Sequence, residues 1–257
     1  MNKPMTNHNP FKTLLARAGI ALIASLGLSG GAFAAAGAGL QQANVTLTDV
    51  ASMQRGARLF FNYCSGCHSL EYVRYSRMAE DLKMDPKAVE QNLIFTGAKI
   101  GDHALNNMSV EDGTRWFGKA PPDLSLEARA KGVDWIYSYL KSFYLDPTRP
   151  LGWNNTVFPN ASMPNVLWEL QGLQVAVTRP GSGGQDPHVE RLEIRTPGRM
   201  DEQAFDGAVR DITAFLMYTA EPAALKRESM GVWVLLYLAF FTLLAYLLKH
   251  EFWKDVK

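Results

Sequence analysis

"FNYCSGCHSL", residues 61–70, holds the two cysteines of a 257-residue chain, two positions apart, with His68 directly after the second. The pentapeptide Cys64-Ser65-Gly66-Cys67-His68 fits three chemistries. A CxxC pair can be a dithiol redox site, which ordinarily opens a helix in a thioredoxin-like βαβ setting; that setting is absent around it. It can be half of a zinc site, but no second cysteine pair exists and His103 and His188 would have to complete the set. With its histidine it is also the attachment signature of c-type haem, in which two thioethers clamp the macrocycle and His68 is held against the iron.

Both ends of the chain bear on the choice. Residues 1–17 carry Lys3, Lys12 and Arg17 and no acid; the apolar "AGIALIASLGL" (18–28) and the small residues around Ala32-Phe33-Ala34 follow. This pattern predicts a signal peptide over 1–34. Its removal leaves 223 residues with a formal charge of −2, which argues against nucleic acid as a partner. At the other end, "MGVWVLLYLAFFTLLAYLL" (230–248) has no charge in 19 positions and would span roughly 28 Å, about one hydrocarbon core. The expected layout is an exported domain (35–229), one membrane anchor (230–248) and a cytoplasmic tail (249–257) with Lys249, Lys254 and Lys257. Export suits haem attachment. Cysteines consumed as thioethers also explain an exported chain without a disulfide.

The exported part reads as mainly helical. In "LTDVASMQRGARLFFNYCSGCHSL" (47–70), Met53, Gly56, Ala57, Phe60 and Phe61 recur at helical spacing, and Gly56 would permit close helix–helix approach. A second helix is predicted over 201–222, with Ala204, Ala208, Val209, Ile212, Phe215 and Leu216 on one face, an acidic start at Asp201 and Glu202, and Pro222 as its stop. A third is predicted from Val133 to just before Pro147, and a shorter fourth over 85–95 with Pro86 in its first turn. The Gly- and Pro-rich stretch 178–198 is expected to be irregular, with at most a small strand at "HVERLEI" (188–194). Such loops are unusual in a compact domain unless a large cofactor supplies part of the core.

A low-spin electron carrier needs a second axial ligand. A thioether there would raise the reduction potential and a histidine would lower it. Of ten methionines, Met53 and Met217 sit in apolar helical patterns, and Met78, Met84, Met108 and Met200 in or beside polar stretches. Met163 stands apart, in "VFPNASMPNVLWEL" (157–170), where Pro164 restricts its backbone to extended conformations. That suits a loop laid across a haem face. His103 and Met108 remain rivals on these grounds.

The segments "CSGCHSLEYVRY" (64–75), "APPDLS" (120–125), "FPNASMPN" (158–165) and "FLMYTAEPAALKRESMGVWVLLYL" (215–238) resemble, in order, those of the cytochrome c1 family, haem subunits of the cytochrome bc1 complex, in their bacterial form. The Pro-Pro-Asp segment and the Ala-Glu-Pro segment running into the anchor are more specific than CxxCH. The resemblance implies a class I cytochrome c-like haem domain with long irregular loops plus one C-terminal transmembrane helix. It implies one covalent haem c on Cys64 and Cys67, with His68 and Met163 as iron ligands. It also implies a haem wall from Pro121 and Pro122, whose lack of N–H groups suits an apolar ring.

The family commonly shows Arg-x-Arg after that wall, the second arginine serving a propionate. Here the stretch is Arg129-Ala130-Lys131, and lysine lacks the planar fork; Arg129, Lys131 and Arg115 are candidates. Partners implied are cytochrome b, the Rieske iron–sulfur protein and a soluble cytochrome c, in a dimeric complex in the inner membrane with the haem domain periplasmic. The implied role is electron transfer rather than catalysis by the chain alone. A weak acidic patch to steer a basic cytochrome could include Asp201 and Glu202, although a helix N-terminal role accounts for them equally well.

Overall fold

The structure is a computed structural model that describes residues 39–179 and 188–255. The expected signal peptide and residues 180–187 of the Gly-rich stretch lie outside the described residues.

Helix α1 (Val50–Tyr63) begins where the Asp49 carboxylate accepts the Ser52 N–H at 3.0 Å and ends at the cysteine pair. Met53, Gly56, Ala57, Phe60 and Phe61 are all buried, as the helical spacing requires. They meet helix α8 (Glu202–Ala220), capped by Asp201, whose carboxylate accepts the Ala204 N–H at 2.8 Å. A Cβ on Gly56 would lie 1.9 Å from the Asp211 carbonyl oxygen, so the two backbones touch where the glycine sits. Asp211 seals the contact through its side chain as well: Ser52 Oγ donates to it at 2.6 Å and the Arg55 guanidinium at 2.6 and 2.8 Å. Phe60, Phe61 and Phe215 pack their rings beside this crossing, with Tyr75 against Phe61. Each such buried aromatic contributes roughly 1.5–3 kcal/mol of apolar burial.

On α8 the expected face holds from Ala208 onward, but Ala204 is exposed and Phe205 takes the inward position. Ala204 lies in the first turn, its N–H held by the Asp201 cap, so the buried stripe starts one residue later.

After the cysteine pair come strand β1 (Leu70–Arg74) and helices α2 (Tyr75–Asp81) and α3 (Pro86–Asn92), the last with Pro86 in its first turn as expected. Strand β2 (His103–Ala104) pairs antiparallel with β1. Helices α4 (Val110–Phe117), α5 (Glu127–Lys131) and α6 (Val133–Lys141) follow. The helix expected to end just before Pro147 stops at Lys141, and Phe143–Leu145 becomes strand β3. The cause is tertiary: Gln171 Nε2 and Gln174 Nε2 donate to the Lys141 carbonyl at 3.0 and 2.9 Å, and Gln174 also to that of Phe143 at 2.8 Å. These amides satisfy carbonyls that a helix end leaves open.

Strand β3 pairs antiparallel with β4 (Trp153–Asn155) and parallel with β5 (Gly172–Arg179), which pairs antiparallel with β6 (His188–Pro197). The sheet order is β4-β3-β5-β6, and the short helix α7 (Trp168–Gln171) leads into β5. Of the stretch 178–198, the described residues 178–179 and 188–197 lie in β5 and β6, and the strand is longer than the predicted 188–194. Val175 and Val177 alternate along β5 just before this stretch, and Val189, Leu192 and Ile194 give β6 its β-branched and apolar content.

Helix α9 (Ala224–Phe252) is 29 residues long, and Lys226–Phe252 within it is long and apolar enough to cross a membrane. Its Val, Leu and Phe side chains face outward, as lipid contact requires. The helix runs past both ends of the predicted span and takes in Lys226 and Arg227.

Candidate functional site

Helix α1 delivers both cysteines at its C-terminal turn. The N–H groups of Cys64 and Ser65 close onto the Phe60 carbonyl at 2.8 and 3.0 Å, and those of Cys67 and His68 onto the Cys64 carbonyl at 3.1 and 2.9 Å. The result is one tight extra turn that presents Cys64, Cys67 and His68 together. Both thiols are free. Burial pushes the Cys64 thiol up to about 12, with the neighbouring Cys67 adding to it, and burial raises Cys67 as well. A redox dithiol or a metal thiolate site is arranged in the opposite sense, to lower the thiol pKa. Among the described residues no group of three or more His, Cys, Asp or Glu side chains converges as a zinc cage would need.

The histidine is oriented by the Pro-Pro-Asp segment. His68 Nδ1 lies 2.7 Å from the Pro122 carbonyl oxygen. A carbonyl only accepts, so Nδ1 carries the proton and Nε2 keeps its lone pair for a metal. Burial holds the imidazole pKa below its ordinary value, against the opposing pull of the Pro122 bond and the charges of Asp123 and Glu127. A neutral imidazole, oriented from behind by a carbonyl, is the form that ligates iron. These donors fit a covalently attached haem.

The same segment is sewn onto the chain that follows the histidine. Asp123 Oδ2 accepts the Glu71 N–H at 2.7 Å and its Oδ1 that of Ser125 at 2.8 Å. Ser125 Oγ accepts the Tyr72 N–H at 3.1 Å, and the Leu124 N–H reaches the Ser69 carbonyl at 3.0 Å. On the other side Asn106 Nδ2 donates to the Cys67 carbonyl at 2.5 Å and its backbone N–H to Ser69 Oγ at 2.9 Å. The sequence reading gave this segment only a wall. Its orienting role was missed, as were Asp123, Ser125 and Asn106. An aspartate whose carboxylate takes the N–H two residues on is a turn signal that could have found Asp123.

Pro121 is half-buried and Pro122 exposed at its ring. A Cβ on Gly113 would stand 2.8 Å from Pro121 Cδ and 3.3 Å from the Met108 sulfur, which places Met108 and Pro121 side by side against α4. His103 is fixed in β2 opposite Arg74, with its Nδ1 buried and lacking a hydrogen-bond partner. Met163 lies between β4 and α7, half-buried and packed against the same core that holds Cys64 and Phe61.

Of the basic candidates, Arg115 is engaged on the surface of α4, paired with Asp112 and lying 6.0 Å from the Trp116 ring centroid. Arg129 and Lys131 are exposed on α5; Lys131 Nζ stands 5.5 Å from the Trp135 ring, which stacks on Tyr139 at 4.8 Å. Asp201, considered for an acidic docking patch, caps α8, and Glu202 sits in its first turn.

The Cytochrome C1 family profile matches residues 41–256. The chain is 50% identical to the cytochrome c1 of Allochromatium vinosum, across 95% of this chain and 97% of that one. It is 40% identical to the ammonia monooxygenase gamma subunit of Nitrosomonas europaea, across 84% and 88% of the two chains. It is 30% identical to the mitochondrial cytochrome c1 heme protein of Saccharomyces cerevisiae, across 81% of this chain and 68% of that one. The chain belongs to the cytochrome c1 family.

Proposed function

We propose that this chain is the one-electron carrier that receives electrons from the Rieske iron–sulfur protein and delivers them to a soluble cytochrome c. As a cytochrome c1 it is a haem-bearing electron-transfer subunit of the bc1 complex, beside cytochrome b and the Rieske protein, anchored by its C-terminal helix. Bound haem c supplies the one-electron couple. The observation that carries the reading is the CxxCH turn with His68 held in its Nε2-free tautomer by the Pro122 carbonyl.

The chain's residues divide the remaining work. Cys64 and Cys67 would hold one haem through two thioethers, and His68 and Met163 would ligate its iron. Pro121 and Pro122 would wall the ring, and Arg129 or Lys131 would neutralise a propionate. Thioether ligation by Met163 and burial of the site would favour ferrous iron and suit a potential high enough to accept electrons from a Rieske centre. Residues 1–34 are the export signal, 35–229 the periplasmic domain, 230–248 the membrane span and 249–257 the cytoplasmic tail, in a dimeric complex.

Acid–acetone extraction of the purified full-length protein tests the attachment. Haem is expected to stay on the polypeptide; haem released into the solvent would contradict covalent capture by Cys64 and Cys67. Co-purification with a cytochrome b and a Rieske protein separates this role from that of an anchored cytochrome serving another partner, such as an oxidase.

A further inference from the structure

Met163 is carried by a short strap, and both ends of that strap are tied down by buried asparagines. Upstream, Asn155 is 1% exposed. Its Nδ2 donates to the Tyr139 carbonyl near the end of α6 at 2.8 Å, and its Oδ1 accepts the N–H groups of Val157 and Phe158 at 2.8 and 3.0 Å. Its neighbour Asn154 donates from Nδ2 to Asp146 Oδ2 at 2.9 Å and accepts the Asn160 N–H on Oδ1 at 2.8 Å. Asn160 itself has φ +66°, a left-handed bend that this bond steadies. Downstream, Asn165 is 2% exposed; its Nδ2 donates to Gln171 Oε1 at 2.9 Å and its Oδ1 accepts the Leu167 N–H at 3.0 Å. Gln171 donates onward to the Lys141 carbonyl. Only Ala161, Ser162, Met163 and Pro164 stand between the two tied points.

We infer that Asn155 and Asn165, with Asn154 in support, are positioning residues that hold Met163 at the iron. The inference rests on the reading of Met163 as the sixth ligand. Ordering a free loop costs roughly 1–2 kcal/mol for each residue fixed. A strap already ordered by buried side chains has met that cost in folding, so the sulfur can occupy its position without spending ligation energy on the backbone. These amides are also the groups that a buried strap needs, because they satisfy backbone N–H groups that no ladder or helix serves. With no cysteine to spare beyond Cys64 and Cys67, polar ties are the restraint this chain has at that place.

Removing one tie leaves the sulfur's chemistry intact and loosens its delivery. The equilibrium between Met163 and an external ligand therefore shifts. Imidazole added to the oxidised, full-length haem protein in detergent reads this shift, as an apparent dissociation constant and as loss of the thioether-to-ferric-iron charge-transfer band. Asn155→Ala and Asn165→Ala are each expected to bind imidazole about tenfold more tightly than the parent, equivalent to ~1.4 kcal/mol. Met163→Leu should bind it more tightly still and lack the band throughout.

Ser52→Ala, which removes a hydrogen bond at the α1–α8 crossing, serves as the control for general destabilisation. It should leave imidazole affinity at the parental value. Parental affinity in both asparagine variants, beside a tight-binding Met163→Leu, overturns the inference and leaves the ligand assignment standing. Equal tightening in Ser52→Ala overturns it as well. A Met163→Leu protein with unchanged band and affinity overturns the ligand assignment itself. Should Asn155→Ala not accumulate, Asn154→Ala tests the same flank.

Discussion

Met163→Leu or Met163→Lys should lower the reduction midpoint on the order of 100 mV or more, within the ~0.8 V range over which axial ligands act, and abolish quinol-dependent cytochrome c reduction. Leucine has no donor atom, and lysine offers an amine in place of a soft thioether. With Met163 as the proposed sixth ligand, either change removes the group that favours ferrous iron. A carrier whose potential falls below that of its donor no longer accepts the electron, so the functional loss is far larger than the loss of one packing contact. Met163 is only half-buried at the edge of the core, and the folded chain should survive both substitutions. Spectroscopic redox titration of the variants measures the effect. An unchanged midpoint would point to another sixth ligand, for which His103, with its buried and unpartnered Nδ1, is the first alternative.

The second large effect is expected at Gly56. A Cβ there would stand 1.9 Å from the Asp211 carbonyl oxygen, 2.6 Å from its carbon and 2.8 Å from Phe215 Cβ. The obstruction is mostly backbone, so no rotamer change relieves it and the helices must separate. Separation also strains the bonds that Ser52 and Arg55 make to Asp211, the first of them buried. Overpacking typically costs 1–3 kcal/mol, and the added loss of buried contacts takes Gly56→Ala to about 3 kcal/mol or beyond. Gly56→Leu should prevent accumulation of folded, haem-bearing protein, since total stabilities are only about 5–15 kcal/mol. Gly207, on α8, has nothing within 4 Å of where its Cβ would be. Gly207→Ala should be neutral or stabilising by up to about 1 kcal/mol through helix propensity. Thermal unfolding of the two alanine variants distinguishes a packing contact at Gly56 from a general intolerance of change in these helices.

The local signals that could be read without the fold were those with one physical meaning. The Met53-Gly56-Ala57-Phe60-Phe61 spacing can bury one helix face and little else, and that face is buried. The apolar run at 230–248 has no alternative of comparable length, and the helix there exceeds it at both ends. The misjudged elements are those that distant residues decide. Ser142-to-Asp146 looks like more helix until Gln171 and Gln174, some thirty residues later, take the Lys141 and Phe143 carbonyls and β5 pairs with β3. The hairpin arm was hidden by its Gly and Pro content.

At the site, the CxxCH turn was legible because the chemistry resides in contiguous residues. The ring of support was not. Pro122 acts through a backbone carbonyl, which composition does not reveal, and Asn106, Asp123 and Asn155 matter only through what lies opposite them in space.

The central claim is that the redox change of this protein resides on a haem held by Cys64, Cys67 and His68 and not on the thiols. A redox-titrated visible spectrum of the purified full-length protein tests it most directly. The account predicts one sharp α band of c-type haem that appears on reduction and follows a single one-electron midpoint. Absence of that band, or a two-electron titration that tracks the thiols, would contradict it.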